Sequence, residues 1–76
     1  MTELVRFIAT SLADQPDQVR VEAEDSDAGT VVTLSVAQDD LGKMIGKQGR
    51  TARAMRSLLA ASQRDARPAR LEIVAG

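Results

Sequence analysis

Gly46 and Gly49 bracket the dipeptide Lys47-Gln48 between two stretches of helical spacing. Leu41, Met44 and Ile45 lie before the pair, and Thr51, Met55, Leu58, Leu59 and Ser62 cluster on one side of a helix laid out at about 100° per residue after it. Glycine weakens a helix interior and opens backbone angles closed to other residues. The chain is therefore expected to break here into a tight helix-turn-helix, with a short helix before Gly46 and a longer one beginning near Arg50. Asp39 or Asp40 is placed to cap the short helix. On the longer helix Arg50, Arg53, Arg56 and Arg64 fall opposite the apolar side and give it a basic outer face.

The remaining elements follow from periodicity. Leu4, Val5, Ile8 and Leu12 mark one face of a helix over about 3–13, with Thr2 available as its cap and Pro16 stopping it. Val19, Val21 and Ala23 alternate with polar residues as a strand over 18–24, and Val32, Leu34 and Val36 do the same after the turn residues Asp25-Ser26-Asp27-Ala28-Gly29. These two strands are expected to form an antiparallel hairpin. After Pro68, Ala69-Arg70-Leu71-Glu72-Ile73-Val74 alternates as a third strand. The order α-β-β-α-α-β describes a two-layer α/β domain of the α+β kind, a three-stranded sheet with three helices on one face, filling residues 1–76 as a single domain. At 76 residues there is no room for a second core, and a chain this small gains stability from a partner subunit.

Composition removes most chemistry. Cysteine and histidine are both missing, which excludes disulfides, the usual zinc ligands, thiol catalysis and every serine or cysteine nucleophile paired with histidine. No cofactor, metal or small-molecule substrate is expected, and the protein is read as non-enzymatic. Neither a signal peptide, a membrane span nor a lipidation motif is legible, so a soluble, cytoplasmic protein with no membrane partner is expected.

A net charge of −1 conceals a division. Residues 1–40 carry two arginines against nine carboxylates, whereas residues 41–76 carry two lysines and six arginines against Asp65 and Glu72. Lys43, Lys47, Arg50, Arg53 and Arg56 share a stretch without a carboxylate, beside Gly42, Gly46 and Gly49. Basic side chains next to glycines suggest a phosphate-facing surface, because a sugar-phosphate backbone can lie against a peptide that has no Cβ. The N-terminus of the following helix adds unpaired N–H groups and partial positive charge. A nucleotide-binding P-loop is excluded, because only three residues separate Gly42 from Gly46 and Gln48 stands where Ser or Thr would bind magnesium. Asp39 and Asp40 lack a third carboxylate for a metal site. Phe7 is the single aromatic, which leaves no base-stacking platform.

The segment Met44-Ile45-Gly46-Lys47-Gln48-Gly49-Arg50-Thr51, in this element order, resembles the KH RNA-binding domain in its type II, prokaryotic arrangement. The match covers nearly the whole chain and is closest in character to the small free-standing single-KH proteins of bacteria. The resemblance implies that the G-x-x-G loop clamps about four nucleotides of single-stranded RNA. Ile45, Gly46, Lys47, Gln48, Gly49 and Arg50 are its candidate contacts, with Lys43 and Arg53 ranked lower and Ile45, Ala52 and apolar residues of the second strand lining the groove. Ala52 stands where the common KH pattern has a larger aliphatic, which implies a shallower groove. Gly42 is read as a packing glycine where the short helix crosses the hairpin. Met44, Met55, Leu58 and Leu59 are read as core, and Arg64, Arg67 and Arg70 as surface. The resemblance further implies a homodimer, or a heterodimer with a larger KH protein of the KhpB (Jag) type. It also implies a role as a post-transcriptional regulator or RNA chaperone connected with cell elongation and division. Two other readings stay open: a protein-interaction module using the G-x-x-G hairpin as a dimer surface, and binding of single-stranded DNA.

Overall fold

The computed structural model describes residues 2–62 and 68–76. Its elements are α1 (Thr2–Leu12), β1 (Arg20–Ser26), β2 (Gly29–Val36), α2 (Leu41–Ile45), α3 (Arg50–Ser62) and β3 (Ala69–Ala75), with single 3-10 turns at Pro16–Gln18, Gln38–Asp40 and Lys47–Gly49. This is the expected α-β-β-α-α-β order. Helix α1 begins at Thr2, which belongs to its first turn, and ends one residue before the expected boundary.

The sheet runs β1-β2-β3. β1 and β2 pair antiparallel, with Val21 opposite Leu34 and Ala23 opposite Val32. β2 and β3 pair parallel, with Leu71 opposite Val32 and Ile73 opposite Leu34. Parallel neighbours need a long crossover, and the α2–α3 unit supplies it. Its two helices therefore lie over the sheet, and both pack against β3.

Strand alternation decides which side is dry. Val32, Leu34, Val36 and Leu71 face the helices and are buried with Val5 and Ala9 of α1 and Met44, Met55 and Leu59 of the crossover. The opposite face carries Glu22 and Glu72 on either side of Thr33 and Glu24 beside Val31, and among the described residues no helix covers it. No described helix is long and apolar enough to cross a membrane.

Several expectations are corrected. The first strand runs over Arg20–Ser26 rather than 18–24, and Val19 is buried just ahead of it. Beyond the half-buried Val21 every residue of β1, Ala23 included, is exposed, because β1 is an edge strand whose far half is not covered by the helices. Leu58 is 45% exposed rather than core. The buried arc of α3 spans only about 60°, from Met55 through Leu59 to Ala52, and Leu58 falls about 60° to the other side of Met55. Arg64 and Arg67, read above as surface, lie outside the described residues.

The capping role given to Asp39 or Asp40 also fails. The turn Gln38–Asp40 runs straight into α2, so Asp40 at the cap position has right-handed helical angles (φ −92°, ψ −10°) and makes no side-chain capping bond. Its carboxylate points instead to the turn after α1, where it accepts the N–H groups of Asp14 and Gln15, both at 3.0 Å.

Candidate nucleic-acid interface

Helix α2 is a turn and a half long, and its last turn closes with the Gly46 N–H donating to the Gly42 carbonyl at 2.8 Å. Gly46 then turns the chain with φ 77°, ψ 171°. A Cβ there would overlap the Thr51 side chain at the start of α3, so the loop closes this tightly only because residue 46 has none. Gly49 also has positive φ, 73°, but a Cβ built on it meets nothing within 4 Å. The two glycines therefore differ in role: Gly46 lets the loop close on α3, and Gly49 leaves bare backbone open to solvent.

Between them Gln48 adopts a left-handed conformation, φ 56° and ψ 27°, without the glycine that normally permits it. Such a residue costs on the order of 1–2 kcal/mol, offset by local bonding. That bonding is present: the Arg53 guanidinium donates to the Gln48 carbonyl at 3.0 Å, and Arg50 donates to Gln48 Oε1 at 3.4 Å. The tip is thus held in place from α3. Lys47 is exposed, with no carboxylate within ion-pair distance among the described residues. Immediately behind the tip, the turn Lys47–Gly49 runs into α3 and the Arg50 N–H donates to the Lys47 carbonyl, while the start of the helix carries partial positive charge.

Ile45, Gly46, Lys47, Gln48, Gly49, Arg50 and Arg53 come together at this tip as the sequence suggests. Ile45 is 42% exposed, an apolar side chain held open beside the loop. Lys43 is diverted: its ammonium pairs with Asp14 at 2.5 Å, in a bridge whose side chains are 44% and 76% exposed and so adds little stability. Arg56 is diverted as well, donating to the Leu71 carbonyl of β3 at 3.3 Å.

The groove wall differs from expectation. Val32, Leu34 and Val36 of β2 are wholly buried and Ala52 is 5% exposed, so neither lines an open groove. β2 is the central strand, and its helix-facing side chains are sealed beneath α2 and α3. The strand that borders the crossover at an edge of the sheet is β3, whose Leu71 carbonyl takes the Arg56 guanidinium. Strand order decides this, and the alternation of residues 69–74 carries no sign of it.

Gly42 is also corrected. It is exposed, and a Cβ built on it meets nothing within 4 Å, so it packs against no part of the hairpin. Lying one helical turn before Gly46, it extends the bare backbone along α2. Its spacing from Gly46 was the available signal. Among the described residues no group of carboxylates is arranged to hold a metal ion.

The crystal structure of Era in complex with MgGDPNP and nucleotides 1506–1542 of 16S ribosomal RNA superposes on 97% of this chain with a TM-score of 0.54. The identity is 24%, so the likeness speaks for the fold, and the chain spans 29% of the Era chain. The family described as KhpA/KhpB, KH domain, matches residues 2–73, and the chain belongs to it. Among its relatives are the RNA-binding protein KhpA of Halalkalibacterium halodurans, 49% identical over 97% of this chain and 99% of that one, and of Listeria monocytogenes, 40% identical over the same shares. KhpA of Borreliella burgdorferi is 46% identical over 78% of this chain and 72% of its own.

Proposed function

We propose that the protein binds single-stranded RNA, clamping its backbone against the Gly46–Gly49 loop and the start of α3. The observation that carries this reading is the open space over Gly49 and Gly42, flanked by the unpaired Lys47 and by Arg50. A phosphate chain can approach peptide backbone there and meet positive charge from two side chains and a helix terminus. The RNA-binding relatives support the same reading. Bases lie across the exposed Ile45 toward the edge of β3, and the backbone grip itself reads no sequence.

One KH unit contacts few nucleotides, so the protein acts with a second unit, as a homodimer or with a larger KhpB (Jag)-type KH protein, gaining avidity by placing two loops on one RNA. Exposed Leu58, with exposed Ala54 and Ala61 one turn to either side of it on α3, supports a covered surface there, separate from the loop. In this reading the protein is a non-enzymatic, cytoplasmic post-transcriptional regulator or RNA chaperone.

Mapping amide chemical shifts during titration with a short single-stranded RNA, and with the matched DNA, tests the site. Shifts concentrated in residues 42–53 and at the β3 edge are expected. Shifts confined to the outer face of α3, or a stronger response to DNA, contradict the proposal.

A further inference from the structure

Asp40 is the only charged side chain buried among the described residues, at 0% exposure. A carboxylate is withdrawn from water only where hydrogen bonds replace its hydration. Here the replacement comes from far along the chain: Asp14 N donates to Oδ1 and Gln15 N to Oδ2, across sequence separations of 26 and 25 residues. Both donors follow the last turn of α1, which closes with the Ala13 N–H on the Ala9 carbonyl. They are N–H groups that the helix itself does not use. Asp14 then returns a second link by pairing its own carboxylate with Lys43 on α2. The turn after α1 is therefore held to the start of α2 by the two Asp40 bonds, with the exposed Asp14–Lys43 pair beside them.

What these bonds fix is the helix that carries the loop. α2 has five residues, far below the length at which a helix is stable by itself. Its N-terminus receives no side-chain cap, because Asp40 is turned away from it. One end of α2 is thus set by the Asp40 clasp, and five residues later the chain enters Gly46.

We infer that Asp40 is a positioning residue for RNA binding, and that its clasp on Asp14 and Gln15 sets the angle at which α2 presents the Gly46–Gly49 loop. This rests on the RNA-binding reading above and adds to it a residue that touches no RNA. The expected effect of losing the Asp40 carboxylate is opposite in sign to simple electrostatics. Removing a negative charge close to a phosphate-binding loop strengthens RNA binding if charge alone matters. Loosening the clasp weakens it, because only the fraction of molecules with the loop correctly placed can bind.

The test uses Asp40→Asn, which keeps one acceptor oxygen and turns an NH2 toward the second N–H. Titration with a short fluorescent single-stranded RNA is expected to show about tenfold weaker binding with an unchanged salt slope, as when about a tenth of molecules hold the loop in place. Hydrogen exchange is expected to quicken at amides 41–49 while β2 amides keep their protection. Binding equal to or tighter than the parent, or loss of protection in β2 and α2 together, overturns the inference. Should the variant fail to fold, exchange in the parent decides. The Asp14 and Gln15 amides are expected to open together with those of α2, within about threefold in protection, and below the β2 amides. Unprotected Asp14 and Gln15 amides beside a protected α2 overturn it. Should the parent bind no RNA, the binding reading fails, and the exchange pattern alone upholds or overturns the clasp.

Discussion

Arg53 reaches back along the first turn of α3 and donates to the carbonyl oxygen of Gln48 at 3.0 Å. By sequence it belongs with the cations that face phosphate, yet its guanidinium holds the left-handed residue at the loop tip. A strut and a phosphate contact respond differently to lysine, which keeps the charge but not the planar fork. Arg53→Lys and Arg53→Ala are both expected to weaken RNA binding about two- to tenfold, the worth of one hydrogen bond. A phosphate contact would let Arg53→Lys bind like the parent, while Arg53→Ala would lower the salt slope by about 0.7. Titrations at two salt concentrations separate the two.

The three glycines of the interface should separate stability from binding. Gly42→Ala has space for its methyl group and no positive φ, so it is expected to stabilise the fold by about 0.5–1 kcal/mol while weakening RNA binding. Gly46→Ala must both hold a positive φ and displace Thr51, and is expected to lose about 1–3 kcal/mol. Gly49→Ala meets no neighbour and is expected to lose about 1 kcal/mol through backbone strain alone. Urea unfolding alongside RNA titration checks all three. A Gly42→Ala protein that is more stable and binds undiminished would remove α2 from the interface.

Adjacent leucines on α3 provide a contrast in packing. Leu59 is buried among β2 and α1 side chains, so Leu59→Ala is expected to cost about 2–5 kcal/mol. Leu58 faces outward, and Leu58→Ala is expected to change monomer stability by about 0.5 kcal/mol or less. If α3 carries the partner surface, Leu58→Asp shifts the assembly to monomer in light scattering while the fold persists. A dimer unaffected by that change places the subunit contact elsewhere.

Much of this architecture was legible because few signals competed. Alternation at Val32, Leu34 and Val36 located the central strand, and the glycine pair located the break between α2 and α3. Leu58 was misplaced because helical periodicity gives a face about as wide as its apolar residues, whereas the buried arc depends on how closely α3 lies on the sheet. The second strand proved to be sealed because it is the central one, and strand order leaves no trace in the alternation of residues 32–36 or 69–74. Asp40 was missed for a related reason. An aspartate before a helix reads locally as a cap, and its partners at Asp14 and Gln15 are brought to it only by the fold. The same holds for Lys43 and Arg56, cations in sequence whose acceptors lie on other elements.

The central claim is that the Gly46–Gly49 loop grips the RNA backbone, and the most direct measurement is titration of a short fluorescent single-stranded RNA at two salt concentrations with the parent and the Lys47→Asp, Gln48→Asp double variant. Light scattering and circular dichroism on the same samples confirm assembly and fold. The parent is expected to lose affinity with salt at a slope of about −2 to −3, for three or four phosphates at about −0.7 each, and the folded double variant to lose binding. A folded double variant that binds RNA as tightly as the parent, with the same salt slope, would contradict the account.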